Sequence, residues 1–384
     1  MGSPKKPTVL QVIPDLDAGG AERSALEVAA ALVEAGGRAI VVSTGGRLVA
    51  ELEATGREFV AVPVDTKNPL VGLVNAWRLA VLARREDVDL LHVRSRAPAF
   101  SVWLASFLTG LPWVATYHGI YKAKNPIKRW YNAVMTRGRL TIANSAYTRA
   151  HLLREHRLDP ARVVTINRGV DLDRFDVGKV TPDRVDALRR SWGVARNDTR
   201  VKVLLAGRLT RIKGQLPLVQ AAARLAARGR RDFLLLLVGD DQGRSAYRAE
   251  VEAAVADAGL QDAVKVLGHC VDMPAAYLVA DIVAVPSVVP ESFGRTAVEP
   301  QAMGRPVIAS DLGGMTETVV EGETGWRAPP GDIEAWADVL AAAIDAGPKR
   351  RAAMGKAGMA RVRRLYSARA MTDATLEAYA RAIG

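Results

Sequence analysis

The amino-acid sequence predicts an α/β fold, with two doubly wound parallel sheets built one after the other. Short runs rich in Val, Ile and Leu alternate with helical segments along nearly the whole chain. The alternation stops once, between residues 171 and 200, and then resumes. Strands alternating with helices imply parallel sheets covered on both faces, because each helix is the crossover between two parallel strands. At 384 residues the chain is long enough for two such domains.

The first series of strand-like runs is Thr8–Ile13, Ala39–Ser43, Phe59–Val62, Leu90–Val93, Trp113–Thr116, Leu140–Ala143 and Val163–Ile166. After the first run, Glu22–Glu34 places Ala25, Val28, Ala29, Leu32 and Val33 on one helical face, the pattern of a helix laid on a sheet. Residues 97–121 carry no charged side chain and at first sight suggest a membrane span. Pro98, Gly110 and Pro112 interrupt them, so the expectation is a buried helix over Ala99–Leu108, a turn at Gly110 and a strand from Trp113. Residues 171–200 hold no strand signal. The second series is Val201–Ala206, Phe233–Val238, Val264–Leu267, Ile282–Val285, Val307–Ala309 and Gly325–Arg327, and the last 50 residues are helical throughout. The expected domains are therefore residues 1–180 and 196–364, followed by a closing segment 365–384. Doubly wound sheets take ligands at the carboxyl ends of their strands, so a substrate handled by both domains is expected in a cleft between them.

Hydrophobic residues make up 49% and charged residues 24%, a balance that excludes a disordered chain, a collagen and a coiled-coil rod. A single cysteine, Cys270, excludes a disulfide framework and a cysteine-based zinc site, and suits a reducing cytoplasm. The five histidines form no HExxH pair, so a metalloprotease is not expected. Met1–Thr8 is short, polar and basic with no apolar core behind it, so no signal peptide is expected. Gly2 invites a myristoylation reading, but Lys6 stands where Ser or Thr is needed. The formal net charge is +12 and is unevenly spread: Leu90–Arg154 holds ten Lys/Arg and no Asp or Glu, and Ala346–Thr372 holds eight and none. Such a one-signed field favours an anionic partner, whether nucleic acid, acidic lipid headgroups or a phosphorylated substrate; the plainer reading is solubility charge.

Six stretches carry candidate chemistry. After the first strand, Asp15-Leu16-Asp17-Ala18-Gly19-Gly20-Ala21-Glu22-Arg23 places a glycine pair at a helix start, where backbone can approach a phosphate closely. It lacks the GxGxxG spacing of a dinucleotide fingerprint, and no GxxxxGK[ST] occurs anywhere. Asp15 and Asp17 have the spacing of a metal-binding DxD, but Asp87/Asp89 and Asp171/Asp173 repeat it, so a loop is expected and not a metal site. Gly207-Arg208 to Lys213-Gly214 follows the first strand of the second series; a guanidinium fork and a point charge between glycines suit a diphosphate. Pro290-Glu291-Ser292-Phe293-Gly294-Arg295-Thr296-Ala297-Val298-Glu299 sets two carboxylates around an expected helix start near Phe293–Gly294. They need not face each other as an acid–base pair, and can hold two ends of one elongated ligand while the free N–H groups of residues 293–295 meet phosphate. His118 closes a strand just before Gly119, and Asn144-Ser145 and Asn167-Arg168-Gly169-Val170-Asp171 end later strands.

Together these stretches resemble the retaining GT-B glycosyltransferases of glycosyltransferase family 4, the glycosyl transferases group 1. The matching elements are Gly19-Gly20-Ala21-Glu22-Arg23, His118-Gly119, Asn-x-Gly-Val-Asp at 167–171, Gly207-Arg208 to Lys213-Gly214, Val238-Gly239, Ala280-Asp281, the EX7E of Glu291 and Glu299, and Glu317 in a Gly-Gly-x-x-Glu run. They follow the family's order over about residues 8–330. The resemblance implies two Rossmann-like domains facing across a cleft, with an N-terminal acceptor domain and a C-terminal nucleotide-sugar domain. The last helix, Leu365–Ile383, would return to the first domain. It implies that Arg208 and Lys213 hold the diphosphate and that Glu291 bonds sugar hydroxyls. Backbone N–H groups near Phe293 and Gly294 would meet sugar and phosphate oxygens, Glu299 would hold the ribose, Gly20 would let its loop close on the phosphate, and His118 would touch the transferred sugar.

No residue is an obvious carboxylate nucleophile for a double displacement. The resemblance instead implies front-face displacement of a UDP- or GDP-sugar without a metal or other cofactor, the leaving diphosphate being stabilised by Arg208 and Lys213. The stretch Tyr121-Lys122-Ala123-Lys124-Asn125-Pro126-Ile127-Lys128-Arg129-Trp130-Tyr131 could rest on an anionic inner leaflet. The whole is similar to lipopolysaccharide core mannosyltransferases. That implies a hexose of mannose or glucose type moved to an anionic glycolipid or glycan by an enzyme peripheral to the cytoplasmic face of the inner membrane. A soluble small-molecule acceptor, or a non-catalytic sugar-nucleotide-binding regulator, is the alternative; a nucleic-acid partner would have no use for EX7E or the diphosphate loop.

Overall fold

The computed structural model of the chain describes residues 6–17, 19–54, 56–66, 68–121, 125–243 and 245–384. Lys122 and Lys124 of the basic stretch lie outside the described residues. The chain divides into two compact units: one runs to Gly169 and takes in Ala368–Gly384, the other is Val170–Ser367.

In the first unit the strands are β1 (Thr8–Val12), β2 (Arg38–Ser43), β3 (Glu58–Ala61), β4 (Leu90–Val93), β5 (Trp113–Tyr117), β6 (Leu140–Ala143) and β7 (Val163–Thr165). They form one parallel sheet in the order β3-β2-β1-β4-β5-β6-β7. The strands read as continuous apolar runs because both faces are covered: Leu10, Ile40, Leu91 and Ala115 pack in one core layer, Val9, Val41, Leu90 and Val114 in the other. The helix Gly20–Glu34 buries Ala25, Val28, Ala29 and Leu32, as its periodicity requires. The helix Pro69–Arg85 starts where the Asn68 side chain accepts the Leu70 N–H at 2.9 Å ahead of a first-turn proline.

The second unit contains β8 (Val201–Ala206), β9 (Phe233–Val238), β10 (Val264–Leu267), β11 (Ile282–Val285), β12 (Val307–Ser310) and β13 (Gly325–Ala328) in a parallel sheet ordered β10-β9-β8-β11-β12-β13. In both sheets the chain works outward from one central strand and then returns to its other side. The reversal falls between β1 and β4 in one unit and between β8 and β11 in the other. At such a reversal the loops leaving the two central strands part and leave a crevice at their carboxyl ends. The glycine pair after β1, the Gly207–Gly214 loop after β8 and the Glu291 segment after β11 all stand at these positions.

The expected single helix over Leu365–Ile383 is two elements. One helix ends at Leu365, Tyr366 and Ser367 leave it, and Ala368–Ile383 forms the next. Tyr366 breaks away to lie edge-on against Phe293, ring centroids 5.3 Å apart, while Ser367 bridges Val170. The last helix then belongs to the first unit, where Met371, Ala378, Tyr379 and Ala382 pack with Val9, Leu26 and Leu90. The expected buried helix Ala99–Leu108 spans Arg96–Thr109 and is buried only along Pro98, Ala99, Ser101, Val102 and Ala105. Its end is not buried, since Phe107 and Leu108 face solvent.

The closing helix is anchored by a buried polar chain. His92 lies between the Tyr379 hydroxyl (Nδ1, 2.6 Å) and the Thr116 hydroxyl (Nε2, 2.7 Å), and the neighbouring Arg94 donates from Nε to Gln11 Oε1 at 2.6 Å. Complete burial, and then the charge of Arg94, hold the His92 imidazole well below its ordinary pKa. Folded His92 is therefore neutral, whereas in the unfolded chain it takes up a proton near pH 6.5. Its contribution is fully present above that pH and is lost on acidification, at up to about 1.4 kcal/mol per pH unit. In urea unfolding at successive pH values, the transition reporting the first unit is expected to move to lower urea as pH falls below about 6.5. His92→Gln should flatten that dependence, and a variant with the wild-type pH dependence would contradict the role given to His92.

Candidate active site

In the second unit the loop after β8 and the segment after β11 are joined directly. Lys213 Nζ donates to Glu291 Oε1 at 2.6 Å, and Ser287 Oγ donates to the same oxygen at 2.6 Å. Both charged side chains are less than a fifth exposed, at 19% and 18%, so this is a partly desolvated pair and not a surface contact. The backbone adds a third link, from the Val288 N–H to the Ile212 carbonyl at 3.0 Å.

Glycine makes this closeness sterically feasible. Gly214 has φ +76°, and a Cβ there would stand 2.0 Å from the Pro286 carbonyl oxygen. Gly239, just past β9, passes so near the loop that a Cβ would lie 1.9 Å from the Gly207 oxygen. Buried Gln215 ties the loop from inside, donating from Nε2 to the Arg208 carbonyl at 2.9 Å. Arg208 itself projects from the loop, exposed, with Nη1 3.4 Å from Gln242 Oε1.

The Glu291 segment is held from below. Phe293 is 1% exposed and its ring is locked against Tyr366, so its side chain serves packing. Gly294, at φ +92°, starts the helix Arg295–Ala302, and Met315 occupies the place a side chain there would take. The Gly314 N–H donates to the Glu291 carbonyl at 2.8 Å, with Gly313 paired beside it, so the Gly-Gly-x-x-Glu run supports the EX7E segment from behind. Glu299 does not approach Glu291: Arg295 Nε donates to one of its oxygens at 3.2 Å, and the Tyr277 hydroxyl to the other at 3.1 Å. Burial, and then Glu299, push the Tyr277 hydroxyl well above its ordinary pKa, so it stays a donor.

In the first unit, Gly19 caps the helix Gly20–Glu34 in extended backbone. A Cβ on Gly20 would strike the Arg168 guanidinium at 2.7 Å, so the Asn-x-Gly-Val-Asp stretch after β7 crosses the glycine pair after β1. His118 is half-buried beyond β5. Burial, and then the charges of Arg168 and Arg94, hold its imidazole well below the ordinary range, so it is neutral at pH 7. Asp15 and Asp17 are engaged in loop structure, since Asp17 Oδ1 accepts the Arg47 N–H at 3.2 Å. Sequence reasoning missed Ser287, Tyr277 and Arg295. Arg295, four residues before Glu299 on one helix, was the one with a readable signal.

Two sheets with phosphate-suited loops at both reversal points, and an EX7E segment clamped to a cationic loop, define a sugar-transfer enzyme of two Rossmann-like domains. The chain belongs to glycosyltransferase family 4: residues 18–174 match Glycosyltransferase Family 4 and residues 189–361 match Glycosyl transferases group 1. It is 32% identical over 371 residues to a D-inositol 3-phosphate glycosyltransferase of Gordonia bronchialis, covering 90% of this chain and 79% of that one. A glycosyltransferase crystal structure from Rickettsia africae is 35% identical with a TM-score of 0.90, over 97% of this chain and 98% of that one. HepE of Anabaena, crystallised with UDP and glucose, is 24% identical with a TM-score of 0.84, over 97% and 99%, and shares the fold. The protein is a GT-B glycosyltransferase.

The close glycine approach is testable against an internal control. Gly243 also has φ +76° but nothing within 4 Å of a Cβ, so Gly243→Ala measures backbone strain alone. Gly214→Ala adds the clash with Pro286. Thermal unfolding should show Gly214→Ala to be the more damaging, its total loss exceeding the roughly 1–3 kcal/mol expected of strain alone. Equal losses would mean that the loop does not depend on the contact.

Proposed function

We propose that this glycosyltransferase moves a hexose, of mannose or glucose type, from a UDP- or GDP-sugar to a hydroxyl of a phosphate-bearing acceptor, with retention at the anomeric carbon and without a metal ion. The observation that carries the reading is the Lys213–Glu291 pair at the reversal point of the second sheet, with Arg208 projecting from the same loop. A cation already seated beside a carboxylate can meet the diphosphate while the carboxylate accepts from sugar hydroxyls. Ser287 remains on Glu291 when Lys213 turns to phosphate, so the carboxylate keeps a donor throughout.

In the proposed step the bond from the anomeric carbon to the diphosphate oxygen breaks as the acceptor oxygen bonds to the same face. The departing oxygen takes the acceptor's proton. Arg208 and Lys213 face the charge that grows on the diphosphate, and this electrostatic term replaces the metal. Backbone N–H groups at Phe293 and Gly294 meet phosphate or sugar oxygens, and Glu299, oriented by Arg295 and Tyr277, takes the ribose hydroxyls. In the first unit, Gly19 and Gly20 admit phosphate close to backbone, and neutral His118 exchanges hydrogen bonds with the transferred sugar.

The relative named D-inositol 3-phosphate glycosyltransferase supports a small phosphorylated polyol as acceptor. A second reading, a lipid-linked or lipopolysaccharide-core glycan at the inner leaflet, is favoured by the exposed Ile127, Lys128, Arg129 and Trp130 of the first unit. Arg208→Ala and Lys213→Ala should each lower turnover by roughly 10²-fold, and transfer should survive EDTA. NMR of the product should show the donor's anomeric configuration. Near-wild-type turnover in both variants, metal-dependent activity or an inverted product would each contradict the mechanism.

A further inference from the structure

The helix Pro69–Arg85 has two apolar faces. One packs into the first unit through Ala76, Leu79, Ala80 and Ala83. The other is open: Leu70, Leu73, Val74, Trp77 and Val81 are 70%, 50%, 48%, 63% and 41% exposed, and their spacing sets them in one stripe. Contiguous exposed apolar surface of this kind is uncommon on a soluble monomer and marks an interaction site.

The stripe continues onto two neighbours. The helix Arg96–Thr109 lies alongside in the same direction, since Ser101 Oγ donates to the Gly72 carbonyl and Arg84 donates to that of Leu108. It ends in Phe107, 84% exposed. The short helix Pro126–Ala133 adds Ile127 and Trp130, and a groove of about 310 Å³ lined by Pro69, Gly72, Phe100, Ser101, Trp130 and Tyr131 joins all three. Its aromatic wall is fixed from within: Trp103 stands edge-on to Trp130, and the Arg137 guanidinium covers both rings at 4.8 and 5.0 Å.

Charge says what covers this face. The three helices contain no Asp or Glu, while Arg78, Arg84, Arg85, Lys128 and Arg129 are exposed on them. Glu86 and Glu155, outside the helices, pair with Arg85 and Arg129. A second copy of the chain is disfavoured, because a two-fold interface sets the same cations against themselves. We propose that this face docks on a bilayer containing anionic lipid, with Leu70, Leu73, Trp77, Ile127 and Trp130 in the interfacial layer and Arg78, Lys128 and Arg129 at the phosphates. The inference deepens the second acceptor reading and rests on it for its purpose; its test reads lipid binding alone, and donor binding is measured apart.

Full-length protein is sedimented with vesicles of phosphatidylcholine, with and without phosphatidylglycerol. The wild type should pellet with the anionic vesicles. Leu73→Asp combined with Trp77→Asp should bind about tenfold more weakly or worse while binding nucleoside diphosphate unchanged. Because that variant alters two residues of one helix, brominated lipid provides a milder check: it should quench wild-type tryptophan fluorescence more than that of Trp77→Phe. Wild type left in the supernatant at low salt, or a double variant that binds like the wild type, overturns the proposal. A dimer that the double variant dissociates, without vesicle binding, would assign the face to self-association. Loss of nucleotide binding in the wild type would instead count against the donor reading.

Discussion

Lys213 and Glu291 are 78 residues apart in sequence and 2.6 Å apart in the fold, and the second unit is arranged around that contact. A charge-assisted hydrogen bond between partly desolvated groups is shorter and stronger than a neutral one, but it forms only if two loops close on each other without a side chain between them. Gly214 under Pro286 and Gly239 against Gly207 meet that requirement. The contact lies where β8 and β11 diverge, so the sheet topology itself brings the two loops to one crevice. Phe293, wedged against Tyr366, and Gly313–Gly314, bonded to the Glu291 backbone, then fix the segment from the core side. Such a site is organised before any ligand arrives, which is what electrostatic stabilisation of a leaving group demands.

The first unit is built by the same logic with the polar groups inside. Gln11, His92, Arg94 and Thr116 come from β1, β4 and β5, or just beyond them, and Tyr379 arrives from the far end of the chain. The closing helix therefore completes both an apolar core and a hydrogen-bond chain, and the unit is a finished body only when residues 368–384 are in place. Neutral His118 borders this network, and its character is set by burial and by Arg168 and Arg94.

Much of the fold was legible in the sequence. Strands covered on both faces appear as unbroken apolar runs, and every expected run became a strand with ends shifted by at most about one residue. The EX7E segment and the diphosphate loop were legible because glycines, cations and carboxylates cluster there out of proportion to their surroundings. Their contact was not, because Lys213 meets Glu291 through tertiary packing. Ser287 and Tyr277 were invisible for the same reason. The exposed stripe on Pro69–Arg85 was missed because an apolar residue facing lipid or solvent leaves the same mark in sequence as one facing a core. The end of the helix Arg96–Thr109 was read as buried on that ground, although Phe107 is 84% exposed.

The central claim is that a nucleoside diphosphate is held by the loop after β8 and the EX7E segment after β11. Hydrogen–deuterium exchange of the full-length protein, with and without UDP, GDP or ADP, tests it without any substitution. At least one of these nucleotides should slow exchange in peptides covering 207–214 and 291–299, and leave the exposed helix Pro69–Arg85 unchanged. Protection confined to other segments, or no protection of these two by any of the three, would contradict the account.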